Sequence, residues 1–152
     1  MKDKILIEYF GSHLKKELAE LKKLEDSLRL HINHFELDDK WFRGVDSVEV
    51  EGALFFKNLK NLEELIVKLR ITEEHFKTIC GSNPDYKDGL WELNQGIGFL
   101  KEKIVLLLLP AEKLKSPKSE KERKAIASEL KPIFDGFKSG VKMVKTASEK
   151  FA

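Results

Sequence analysis

A chain of 152 residues, 41% of them hydrophobic, suits one domain with a continuous core, and 36% charged residues with only four prolines favour long solvated helices over sheet. A net charge of +2 is too small to imply nucleic acid or an anionic membrane as partner, and a single cysteine, Cys80, excludes an intrachain disulfide and a Cys-based zinc site. The longest apolar run, residues 104–109, is far short of the roughly 20 residues that span a bilayer.

The first helix is expected from about Asp3 to about Phe42, with Gly44 placed for its C-terminal cap. Its seam runs Ile7, Gly11, Leu14, Leu18, Leu21, Glu25, Leu28, Ile32, Phe35, Asp39, Phe42 in alternating four-three steps. Leu24, Leu30 and Leu37 lie off that seam and widen the apolar face, which suits a helix touching two neighbours rather than a two-stranded coiled coil. The short connection at residues 43–46 forces an antiparallel hairpin with the second helix, Ser47 to Gly81. Asp46 and Ser47 are its candidate N-caps and Gly81 its left-handed C-terminal stop. Between them Val48, Gly52, Phe55, Leu59, Leu62, Ile66, Leu69, Glu73, Phe76 and Cys80 repeat the same a/d spacing. Residues 45–50 alternate polar with apolar, but the capping residues inside them mark a helix start, and no sheet is assigned.

Asn83 and Pro84 restart the chain as N-cap and first helical position of a third helix, apolar at Leu90, Leu93, Ile97, Leu100, Ile104, Leu107, Ala111 and Leu114. Leu106, Leu108 and Leu109 add apolar surface around its circumference, so this helix is expected to be the most buried, and Pro110 to kink it or end it near Leu109. Ser119 and Glu122 form a capping box that opens a basic fourth helix running to the C-terminus, with Pro132 marking a kink or a separate short helix over residues 120–129. Four long amphipathic helices with three short connections give an all-α, antiparallel, up-down-up-down four-helix bundle, with residues 1–152 as a single domain. Gly11, Gly52 and Gly140 on three seams permit close backbone approach or leave a pocket.

In such a bundle the connections set the level of every residue. Folding about residues 43–46 puts His75 opposite Leu14 and beside His13, and the next turn brings Trp91 and Glu92 to the same height. One end of the bundle therefore gathers His13, Glu17, Arg70, Glu73, Glu74, His75, Asp88 and Glu92. His13 and Glu17 share a helix face at i and i+4 and, with Glu74, are candidate ligand-binding residues. No metal is assigned, because carboxylate-bridged metal bundles need Glu-x-x-His motifs and the chain has none. No cofactor-binding fingerprint appears either. His31, His34 and Asp38 make a second cluster, but Leu30, Ile32 and Phe35 are expected to take the core-facing positions, leaving these histidines at the solvent boundary.

The stretch Arg70-Ile-Thr-Glu-Glu-His75 resembles the Arg-x4-6-His motif of HEPN domains, all-helical bundles of about this size that include RNases and their inactive relatives. The resemblance covers those two residues. It implies metal-independent cleavage of RNA, with Arg70 contacting the scissile phosphate and His75 acting as general acid and base. By elimination the expected function is non-catalytic, binding another protein or itself as a homodimer with the apolar third helix offering an extended interface, and the RNase reading is its alternative. The N-terminus lacks the apolar core and small-residue cleavage site of a secretory signal, so the expected location is the cytoplasm.

Overall fold

The computed structural model describes residues 2–151, with side chains at all of these but 2, 3, 45 and 46. They form α1 (Lys2–Phe35), α2 (Val45–Cys80), α3 (Lys87–Lys113) and α4 (Glu120–Lys150), with single 3-10 turns at Asp39–Trp41 and Pro84–Tyr86, and no strand occurs among the described residues. Each helix packs against the one before and after it, and α4 closes the ring against α1, giving an up-down-up-down four-helix bundle. The seven-residue repeat explains the alignment. Leu14, Leu21, Leu28 and Phe35 of α1 are fully buried. So are Leu62, Leu69 and Phe76 of α2, Leu93, Leu100 and Leu107 of α3, and Leu130, Phe137 and Val144 of α4. Phe151 stacks on Phe76 with ring centroids 4.2 Å apart and closes the core at the end where α1 and α3 begin.

Two glycines on the seams serve close approach and leave no pocket. A Cβ at Gly52 would collide with the backbone carbonyl of Leu114, and one at Gly140 would lie 2.7 Å from Leu100 Cδ2. Ser119 caps α4 as expected, its Oγ accepting from the Glu122 N–H at 3.1 Å, and Asn83 Oδ1 accepts from the Asp85 N–H at 3.0 Å at the turn that leads into α3.

Several helix boundaries differ from those expected. α1 stops at Phe35, seven residues short of Phe42, because a buried arginine from α4 takes over the backbone of the chain that follows. Arg123 donates from Nε to the Phe35 carbonyl at 3.2 Å, from Nη2 to the Leu37 carbonyl and from Nη1 to the Asp39 carboxylate at 2.6 Å, with its guanidinium over the Phe42 ring. Those contacts satisfy carbonyls that a continued helix would have used itself. α2 begins at Val45 after Gly44, whose φ of 103° only glycine adopts readily, and no side chain caps it. The expected cap Asp46 has its side chain outside the described residues, and Ser47 sits inside the first turn. Gly81 is right-handed (φ −61°), its N–H still bonded to the Lys77 carbonyl, so the expected left-handed stop is absent.

Neither proline breaks its helix. Pro110 and Pro132 lie inside continuous α3 and α4, and the carbonyls they strand belong to Leu106 and Ser128, both exposed residues. α3 is not buried all round: Val105, Leu106 and Leu109 are exposed at 62%, 47% and 65%. Leu30, expected to face the core, is exposed as well.

Candidate functional site

The antiparallel pairing of α1 with α2 does bring His13, Glu17 and His75 together. They line one groove of about 460 Å³ with Tyr9, Ile71 and Thr72. The Phe10 ring lies 4.5 Å from the His75 ring, and the Tyr9 ring 4.8 Å from the His13 ring, so each imidazole rests on an aromatic neighbour. Glu17 is half-buried and accepts from the Thr72 hydroxyl at 2.6 Å. Burial pushes its carboxyl above the ordinary carboxylate value, while the Thr72 hydrogen bond and the nearby His13 pull the other way. The Thr72 hydroxyl is the groove's one hydroxyl seen donating to a carboxylate among the described residues, and this bond ties α2 to Glu17 of α1.

Arg70 and His75 do not share that groove. A five-residue step turns about 140° around a helix, and Arg70 accordingly faces α3. Its Nη1 donates to Glu73 Oε1 and to Asn94 Oδ1, both at 2.8 Å. Glu73 is fully buried, so Arg70 neutralises a core carboxylate and ties α2 to α3. The pair that resembles the HEPN motif therefore points to two different grooves, with no cleft in which one phosphate meets both. Glu74 also stands apart from the candidate ligand set. It is exposed and paired with Lys77 at 3.4 Å. Glu92 is held by Lys150 at 2.6 Å.

The more continuous feature lies where Arg70 sits, on the outer face of α2 and α3. Ile66 and Val67 of α2 face Ile104 and Val105 of α3 across a second groove of about 460 Å³, rimmed by Lys60, Glu63, Glu64, Arg70 and Lys101. Trp91, Gly98 and Val105 are seven residues apart and so recur on one side of α3, with Leu109 a turn beyond Val105. Trp91 is exposed at 61% and Val67 at 60%. Trp91 stands about 21 Å along the helix from Val105, with only Gly98 of this row between them. Val105 and Leu109 make a short apolar ridge beside the groove, which is edged with charges of both signs.

A third constellation gathers two histidines that the sequence groups with Asp38 around a partner it did not single out, Glu51. His31 and His34 of α1 both direct Nδ1 at Glu51 Oε1 of α2, each at 2.7 Å. All three side chains are largely buried. The signal was present: the register that sets His75 opposite Leu14 also sets Asn58 opposite His31, and Asn58 Nδ2 indeed lies 3.2 Å from His31 Nε2. Asp38, grouped with these histidines in the sequence, instead pairs with Lys124 of α4, which holds its carboxyl below the ordinary range.

The fold and these surfaces define a four-helix bundle. No protein family, curated protein or solved structure significantly matches the chain. No helix is long and apolar enough to cross a membrane among the described residues.

Proposed function

We propose that this protein is a cytoplasmic interaction module that self-associates, two copies meeting through the outer face of α2 and α3. The observation that carries the reading is that Val67 of α2 and Val105 of α3, facing each other across the groove lined by Ile66 and Ile104, and Leu109 a turn beyond Val105 are each exposed at 60% or more. Single exposed apolar side chains are ordinary, but a row of them beside a concave apolar groove is the composition of a docking surface. A second copy is the favoured occupant because the rim carries Lys60 and Lys101 together with Glu63 and Glu64. A two-fold axis brings a patch against itself, and a patch of mixed sign can then pair each charge with its opposite. The net charge of +2 sets little long-range repulsion against the encounter.

Sedimentation equilibrium over a wide concentration range tests the reading. The parent chain is expected to approach the dimer mass, and the double substitution Val105→Lys with Leu109→Lys to raise the dissociation constant at least tenfold, about 1.4 kcal/mol. A chain that stays monomeric at every concentration, or a dimer indifferent to both lysines, contradicts it.

A further inference from the structure

The end of the bundle opposite the His13 groove holds the one group of three His, Cys, Asp or Glu side chains, among the described residues, with ligand atoms all within 4.8 Å of one another: His31, His34 and Glu51. We infer that it binds a divalent transition ion of the zinc class, a role separate from the α2–α3 face. His31 and His34 are one turn apart near the end of α1, so both imidazoles leave the helix on the same side. Glu51 reaches them from the second turn of α2. Three donors from two elements, with side chains 13%, 25% and 16% exposed, are dry enough to hold an ion and open enough to admit one.

The donor chemistry selects the ion. Two imidazole nitrogens and one carboxylate oxygen suit zinc, cobalt, nickel or copper and disfavour calcium and magnesium, which take oxygen ligands. Three protein ligands complete a tetrahedral ion only with a fourth position held by water, the arrangement of open rather than closed zinc sites. Zinc bonds of about 2.0–2.1 Å place tetrahedral donors roughly 3.3–3.4 Å apart. The Nδ1 to Oε1 separations of 2.7 Å therefore need to open by about 0.6 Å, within reach of small side-chain rotations.

The surroundings are built to orient the ligands. Each Nδ1–H donates to Glu51, and His31 Nε2 accepts from Asn58 Nδ2, which also donates to Ser27 Oγ at 3.1 Å. An ion on Nδ1 displaces that proton to Nε2, and the Asn58 amide, turned end for end, then offers Oδ1 to accept both the His31 Nε2–H and the Ser27 hydroxyl. Trp41 covers His34 from the 3-10 turn with ring centroids 4.6 Å apart, shielding one side.

The test uses the full-length chain and zinc chloride alone, followed by imidazole ¹H–¹⁵N spectra of its four histidines. Added zinc is expected to saturate at one ion per chain and to convert His31 and His34 to the Nδ1-ligated form, while His13 and His75 stay unchanged. Glu51→Gln keeps the shape and removes the charge, and is expected to weaken zinc binding at least tenfold. Asn58→Ala, acting through His31, is expected to weaken it by about tenfold, with His75→Asn neutral. No stoichiometric binding, perturbation of His13 and His75 ahead of the other pair, or binding unchanged by Glu51→Gln would each overturn the assignment. The spectra of the parent chain decide the question even if a variant fails to fold.

Discussion

At the scale of single residues, Arg123 and Glu17 show opposite uses of a buried charge. Arg123 is 1% exposed, yet every face of its guanidinium is occupied: two carbonyls, a carboxylate and an aromatic ring. Arg123→Ala orphans those carbonyls and is expected to lower stability by about 3 kcal/mol. Asp39→Asn, at a partner whose side chain is 66% exposed, is expected to cost under about 1 kcal/mol. Urea unfolding of both variants checks the contrast, and equal losses would refute it. Glu17 is burdened by burial instead. A carboxyl whose folded pKa is raised binds its proton more tightly folded than unfolded, so its contribution falls as pH rises from the ordinary 4.5 through the raised value. Glu17→Gln is therefore expected to raise the melting temperature at pH 7, and the advantage to vanish below about pH 4.5. An advantage that persists in acid would point to packing rather than charge. The proximity of His13, Glu17 and His75 was legible in the sequence, because hairpin register alone sets it. The separation of Arg70 from His75 was equally available from helical angle, though the spacing of a motif conceals it. Arg123 was not legible: nothing in a run of lysines, glutamates and alanines marks one cation as bound for the interior.

At the scale of elements, the helices were readable wherever a seven-residue apolar repeat persists, and their ends were misread wherever tertiary contacts override capping signals. Phe42 continues the α1 repeat and is buried, yet reaches the core from an irregular segment because Arg123 draws off the chain after Phe35. Pro110 was expected to kink α3 or end it, and Pro132 to kink α4 or divide it; both helices run on through their proline, and each leaves a carbonyl on an exposed residue where water can serve it. Glycines within the helices divide by what surrounds them. Gly98→Ala meets only an Arg70 terminal nitrogen at 3.4 Å and is expected to gain about 0.5–1 kcal/mol from helix propensity. Gly52→Ala drives a methyl into the Leu114 backbone carbonyl and is expected to lose about 1–3 kcal/mol despite the same propensity gain. Thermal unfolding of the two variants should shift in opposite directions; two shifts of the same sign would show that the approach of the α3 C-terminus to α2 is not tight at Gly52.

At the scale of the whole molecule, the bundle buries its seven-residue seams and still leaves apolar side chains uncovered on the outer face of α2 and α3. α3 was expected to be the most buried helix, but apolar character and burial are separate properties, and four helices do not suffice to cover Val105, Leu106 and Leu109. The surplus is why self-association is proposed, and it makes thermal stability depend on concentration: linked dimerisation is expected to raise the melting temperature as the chain is concentrated, an effect lost in the Val105→Lys and Leu109→Lys variant. The most direct test of the central claim is the distance between copies. Spin labels at Lys101→Cys on the rim of the α2–α3 groove, and separately at Glu129→Cys on the exposed side of α4, in chains with the buried Cys80 replaced by serine, report it by double electron–electron resonance. A short intermolecular distance from position 101 and a long one from position 129 is the expected result; no dipolar coupling between copies, or the shorter distance at 129, would contradict it.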